Sequence, residues 1–221
     1  MKRIFFLAVI TAMVLGLSMQ AHAALQNLGT DSLGNRLIYD SDLNITWYDY
    51  TKSYNTWQNQ VNWADALSVT FGSNTYTDWR LPTTVDGPWV YGYDGTTTGG
   101  YNITSSEMGH LFYTELGNKG YAATDGTYPQ PGWGLTNTGD FQNLQPNVYW
   151  SGTEYVATSS YAWLFYADYG YQDFVYKGVG GYAIAIRPGL AVAPEPMSMI
   201  LFVTGGVVLA ARRKLLRRQH G

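Results

Sequence analysis

The spacing of apolar residues changes several times along this chain. Arg36–Asp40 (RLIYD) and Asn44–Tyr48 (NITWY) are short β-branched and aromatic runs separated by Asp40-Ser41-Asp42, which predicts two strands and a turn. From Thr56 to Phe71 the period lengthens. Trp57, Val61, Ala64, Leu67 and Phe71 recur every three or four positions, with Gln58, Asn59, Asn62 and Asp65 opposite. This predicts an amphipathic helix, capped by Asn55 or Thr56 and stopped at Gly72. Thr83–Asn102 is rich in Gly, Pro and Asp and predicts a surface loop. Ser105–Leu116 predicts a second helix with Met108, Leu111, Phe112 and Leu116 as its stripe; Ser106 and Glu107 suit its N-terminus and Gly117 or Gly120 its end. Asn118–Gly139 reads as another loop. Val148–Thr153, Tyr161–Ala167, Tyr171–Tyr176 and Ala183–Arg187 then read as strands joined by short turns. The expected fold is α+β: two helices plus an antiparallel meander, with long Gly/aromatic loops.

Two apolar runs stand apart from this alternation. Lys2 and Arg3 precede the run Ile4–Leu17, and Ala21-His22-Ala23 fits a small-x-small cleavage site, so residues 1–23 read as a signal peptide. Met197–Ala211 carries no charge, and Arg212, Arg213, Lys214, Arg217 and Arg218 follow it. At ~1.5 Å per residue this run reaches ~22 Å as a helix, short of a ~30 Å hydrocarbon core, and Arg212 and Arg213 can make up the difference by snorkelling. It reads as one transmembrane helix, 197–211, stopped by Arg212, Arg213 and Lys214, with a basic cytoplasmic tail at 212–221. Pro194 and Pro196 fix φ and lack donors, so 191–196 is an extended linker. Residues 24–190 remain as one exported domain.

Charge is distributed unevenly. The whole chain carries −3, but residues 24–190 hold six basic and fifteen acidic side chains, a balance of −9. That excludes nucleic acid and anionic lipid as expected partners of the domain. The absence of cysteine excludes disulfides, thiol catalysis and Cys-ligated metals. All eight Trp and nineteen Tyr lie in the domain, too many for all to be buried, and exposed rings in Gly-rich loops mark a binding face.

Pro194-Glu195-Pro196, the short apolar helix and the terminal Arg cluster together resemble the PEP-CTERM sorting signal. That resemblance implies an exosortase as partner. This is a membrane-embedded enzyme of Gram-negative bacteria that make extracellular polysaccharide; it cuts near the motif and releases or transfers the protein, so the membrane form is an intermediate on the way to the cell surface or matrix. Within the domain, the residues that stand out together are Trp79-Arg80-Leu81-Pro82, Glu107 near the start of the second helix, Tyr149-Trp150-Ser151-Gly152-Thr153, Ala162-Trp163 and Arg187-Pro188. From Leu37 to Gly189 this set resembles the C-terminal domain of Lcl-type collagen-like adhesins, a family similar in fold to C-type-lectin-like and sulfatase-modifying-factor domains. The resemblance implies loops that form a ligand face, with carbohydrate or surface binding in some relatives. The Gly/Tyr-rich insert around Trp89–Tyr101 departs from that pattern. Formylglycine-generating activity of the distant fold relatives is excluded in its cysteine-based form.

The candidate ligand-binding residues are Trp89, Tyr91, Tyr93, Tyr101, Tyr128 and Trp133, flat rings among Gly, Asn, Asp and Thr. Trp79, Arg80, Leu81, Pro82, Glu107, Trp150 and Arg187 read as structural, with Arg80 paired to a carboxylate such as Glu107. Gln145-Pro146-Asn147 matches the calcium tripeptide of sugar-binding C-type lectins, but the partner Trp-Asn-Asp is missing; Asp168 and Asp173 stand at a rough distance. The tripeptide therefore reads first as a tight turn before the strand, with Gln145 and Asn147 as a weak Ca²⁺ candidate. His110 is the sole histidine of the domain, which by count argues against a His-based metal centre. The expected function is a non-catalytic, exosortase-sorted protein that binds extracellular polysaccharide. The alternatives are a structural surface protein without a sugar ligand and a two-carboxylate glycoside hydrolase.

Overall fold

In strand β2 (Arg36–Asp40) the neighbours Leu37 and Ile38 are both fully buried, and in β3 (Ile45–Thr56) so are Trp47 and Tyr48. Successive side chains of a strand point to opposite faces, so these strands are covered on both sides. Ile38 and Trp47 face one apolar cluster, with Met108, Leu111, Phe112 and Leu116; Leu37 and Tyr48 face another, with Val69, Phe71 and Trp79. A third cluster gathers Trp57, Ala64, Leu81, Trp150, Leu164 and Ala183. The computed structural model describes residues 25–192. The expected signal peptide, Pro194, Glu195, Pro196, the run 197–211 and Arg212, Arg213 and Lys214 lie outside the described residues. Among the described residues no helix is long and apolar enough to cross a membrane.

The fold is α+β, mostly sheet with two short helices. The remaining strands are β1 (Leu25–Thr30), β4 (Val69–Phe71), β5 (Asn74–Tyr76), β6 (Tyr91–Gly92), β7 (Gly99–Tyr101), β8 (Val148–Glu154), β9 (Tyr161–Tyr166), β10 (Tyr171–Tyr176) and β11 (Gly180–Pro188). Nine of them form one sheet in the order β1-β2-β3-β11-β8-β9-β10-β7-β6, and β4 and β5 form a separate hairpin. β8, β9 and β10 make the antiparallel meander. β11 does not extend it. It returns past β8, to which it is parallel, and pairs antiparallel with β3 along nearly its whole length. That ladder is why β3 runs eight residues beyond Tyr48, through a mostly polar stretch whose apolar positions are Tyr50 and Tyr54 alone.

Helix α1 spans Trp57–Asp65 and ends seven residues before the expected Gly72. Val69, Thr70 and Phe71 instead form β4, with Val69 and Phe71 inward and Thr70 outward. A helical period and a strand period both place Phe71 inside, so spacing could not separate them; the β-branched pair Val69-Thr70 and the left-handed turn at Gly72 (φ 61°) decide for the hairpin. Helix α2, Glu107–Gly109, is capped by Ser106, whose hydroxyl accepts from the Gly109 N–H at 3.1 Å. It opens into a π-helical turn, His110–Glu115, in which the Leu116 N–H reaches back five residues to the Leu111 carbonyl. Met108, Leu111, Phe112 and Leu116 are all buried against the sheet.

Candidate functional site

Trp79-Arg80-Leu81-Pro82 forms a strap across the sheet. Arg80 exchanges two main-chain hydrogen bonds with Ile186 of β11, and Gly152 donates to the Pro82 carbonyl at 2.8 Å. Trp79 and Leu81 thereby turn inward and are buried. The Arg80 guanidinium reaches the start of α2, donating from Nη1 and Nη2 to the two Glu107 carboxylate oxygens, each at 2.7 Å. Glu107 Oε2 also accepts from the main-chain N–H and hydroxyl of Thr83. Arg187 makes an equivalent fork onto Asp78, at 2.8 and 3.0 Å, with its guanidinium over the Tyr76 ring. The Asp78 carboxyl lies below its ordinary range, chiefly through the Arg187 hydrogen bond. Trp150 is fully buried and donates from Nε1 to the Asn55 carbonyl at 3.2 Å. Every one of these groups is occupied by the protein itself.

The far edge of the sheet is different. Register aligns Tyr166 of β9, Tyr171 of β10 and Tyr101 of β7 in one row. Their rings follow one another at 5.8 and 5.0 Å. Tyr93 stacks parallel to Tyr101 at 6.1 Å, and Tyr91 sits edge-on to Tyr93 at 5.1 Å. A second group adjoins, in which Tyr121 contacts Tyr128, Trp133 and Tyr169, and Trp133 stacks on Tyr169 at 5.2 Å and 22°. Tyr101 lies against Gly120, next to Tyr121, and so joins the two groups. Tyr91, Tyr128, Trp133 and Tyr169 are exposed, Tyr128 most at 63%. Five of the six rings singled out in the sequence thus meet on one face. The sixth, Trp89, is half-buried and turned toward Trp163 and Phe174, at 6.1 and 5.2 Å. Tyr121, Tyr166, Tyr169 and Tyr171 complete the face without having been chosen; the signal for three of them was Tyr166-Ala-Asp-Tyr-Gly-Tyr171, a hairpin turn with a ring at both ends and at its tip.

Glycines make the close approaches that build this face. A Cβ on Gly99 would lie 1.8 Å from the Trp89 ring, so only glycine lets that ring lie against β7. A Cβ on Gly170 would lie 2.8 Å from the Gly120 backbone, which docks loop 118–139 onto the β9–β10 turn. Tyr121 donates to the Tyr169 carbonyl at 2.8 Å across that junction, and Tyr113 braces both sides, its hydroxyl accepting from the Asn102 N–H and donating to the Gly170 carbonyl.

Two exposed Asp-Gly-Thr turns rim the rings. Asp94 accepts from the N–H and hydroxyl of Thr96, and Asp125 does the same with Thr127. The threonine hydroxyls, then the main-chain donors, hold both carboxyls below their ordinary range. Gly126 lies against Tyr93, so the two turns are neighbours. Asp168 and Asp173 flank the Tyr166 phenol, and burial raises both carboxyls. Burial likewise raises the phenols of Tyr101 and Tyr171, which stay neutral donors across physiological pH. In the calcium-like tripeptide, Gln145 is exposed and donates from Nε2 to the Asn143 carbonyl, while Asn147 pairs through its main-chain carbonyl with Ala167; the segment forms the turn into β8.

Comparisons with protein-family models, with curated proteins and with solved structures each found no match to this chain.

Proposed function

We propose that this is an exported, non-catalytic carbohydrate-binding protein of the cell envelope or extracellular matrix, and that the tyrosine-tryptophan face at the β6–β7–β10 edge is its glycan site. The observation that carries this reading is the continuity of the face: neighbouring rings 5–6 Å apart, several exposed, over a rigid sheet. Such rings offer flat apolar area at little entropic cost and a polar edge that can meet hydroxyls. Asp94, Asp125 and the neutral phenols supply donors and acceptors around them. A polyanionic glycan is disfavoured by the −9 balance, so a neutral or amino-bearing polysaccharide is the expected class. The long pairing of β3 with β11, with two short helices and irregular loops between them, supports the C-type-lectin-like reading. The C-terminal signal is proposed to deliver the protein through an exosortase that acts near Pro194-Glu195-Pro196, with 197–211 as a temporary anchor.

Purified residues 24–192 titrated with a panel of bacterial polysaccharides, with Ca²⁺ and with chelator, test the site. Trp133→Ala and Tyr169→Ala are expected to weaken binding at least about tenfold, as loss of a stacked anchor does, with thermal stability kept. Wild-type affinity in both variants would remove the face as the site, and dependence on Ca²⁺ would return attention to Gln145 and Asn147. Release from the membrane despite replacement of Pro194-Glu195-Pro196 by alanines would overturn the sorting proposal.

A further inference from the structure

His110 and Glu115 are five residues apart, and at 3.6 residues per turn an α-helix would hold such side chains on different faces. Here they begin and end the π-helical turn, whose wider spacing brings His110 Nε2 to 3.0 Å from Glu115 Oε1. Such turns are found frequently at functional sites. The pair faces Asp40, the last residue of β2, which is fully buried. One ligand-type atom from each of the three lies within 4.8 Å of the others. The Glu115 and His110 side chains are themselves nearly covered, at 4% and 15% exposed.

The charge around this group is unbalanced. Among the described residues no Lys or Arg lies within salt-bridge distance of Asp40 or Glu115; Arg36, Arg80, Lys177 and Arg187 pair elsewhere. Two covered carboxylates therefore face a single imidazole, and Asp42 adds further negative potential. The Asp40 carboxylate is also held in place. Oδ1 accepts from the N–H groups of Asp42 and Leu43, and Oδ2 lies 3.4 Å from Trp47 Nε1. Ligand carboxylates are commonly oriented by contacts of this kind.

We propose that Asp40, His110 and Glu115 form a binding site for a borderline divalent cation of the Zn²⁺ class. One imidazole nitrogen with two carboxylate oxygens suits Zn²⁺, which accepts three protein ligands and an open position. The nitrogen disfavours Ca²⁺, which takes oxygen ligands. The cation would join the β2–β3 turn to the π-helical turn and supply the positive charge that the cluster lacks. The same π-helical turn carries Tyr113 beneath the aromatic face, yet this site does not depend on what that face binds.

The test titrates the full chain, purified in detergent and stripped with chelator, with ZnCl₂ or CaCl₂ by calorimetry and thermal unfolding. One equivalent of Zn²⁺ is expected to bind saturably and raise Tm, and Ca²⁺ to do neither. His110→Gln and Glu115→Gln, which keep side-chain bulk, are each expected to weaken Zn²⁺ binding at least about tenfold, with an unchanged circular dichroism spectrum in the stripped state. A readout that needs no variant is the His110 imidazole proton resonance, which Zn²⁺ shifts. Trp133→Ala and His220→Ala leave the binding intact. Absence of saturable Zn²⁺ binding would overturn the proposal, as would equal binding of Ca²⁺. So would binding that survives His110→Gln and disappears in His220→Ala, which would assign it to the tail.

Discussion

At Arg80 a lysine would keep the charge and lose the fork. The guanidinium reaches both oxygens of Glu107 in one plane, and that carboxylate also holds Thr83. The Arg80 side chain is 39% exposed, so solvent screening reduces the pair to about 1 kcal/mol. Arg80→Lys is expected to lower Tm by a few degrees, about 2–4 °C per kcal/mol for a domain of this size. A double-mutant cycle with Glu107→Gln checks it: a coupling near zero would leave the strap's main-chain bonds as the whole of its stability. Glu107 was nameable as a candidate because it stands near the start of the helix that follows Trp-Arg-Leu-Pro. The partner of Arg187 was not, since Asp78 lies 109 residues away and fourteen other acidic side chains competed for the role. Asp40 with His110 and Glu115 was hidden for the same reason. Counting one histidine reveals nothing about which carboxylates the turns will bring to it.

The elements divide by how local their cause is. β2, β8, β9, β10 and the stripe of α2 are legible because each is a patterned run of its own. The end of α1 is not, because Phe71 satisfies two periods at once. β6 and β7 escape notice because they are short and three of their five residues are glycine, which weakens any strand pattern. Those glycines are nevertheless required, since Trp89 lies on Gly99 and the Gly92 carbonyl closes on Gly100. Gly99→Ala is expected to displace the Trp89 ring and destabilise the domain by about 1–3 kcal/mol, as overpacking does. Differential scanning calorimetry measures this. A neutral result would mean that the ring moves freely and braces nothing, and Tyr91 and Tyr93 would then lose their support as well.

For the whole molecule, acid and base act through different carboxylates. Burial sets Asp49, Asp168 and Asp173 above their ordinary range, outweighing the hydrogen bonds that pull them down. The folded state therefore keeps their protons over a window in which the unfolded chain has lost them, and stability falls as pH rises through that window. Asp78, Asp94 and Asp125 lie below the ordinary range, so their contribution is present above the unfolded pKa and is lost as pH falls through the lowered values. The two trends meet near the ordinary carboxylate pKa of about 4. Tm is expected to be highest near that crossover, to fall as pH rises through the raised values, and to stay level above them. Asp173→Asn, which keeps an acceptor for the Phe174 N–H at 2.8 Å, should raise Tm at pH 7.5 and flatten the decline. A Tm that climbs steadily to pH 7.5 would contradict the burial assigned to these groups.

The order of the sheet has a directional consequence. β1 is one edge, and the last described residues lie against it: Ala191 donates to Thr46, Val192 exchanges hydrogen bonds with the Tyr76 hydroxyl, and both line a groove with Gln26 and Leu28. β6, beside the aromatic face, is the other edge. Nine strands at about 4.8 Å separate them by up to about 40 Å along the sheet. On the proposed reading, a protein held by its C-terminal side presents its aromatic rings at the opposite edge of the sheet, like the head of a mast, where a polymer can reach them first.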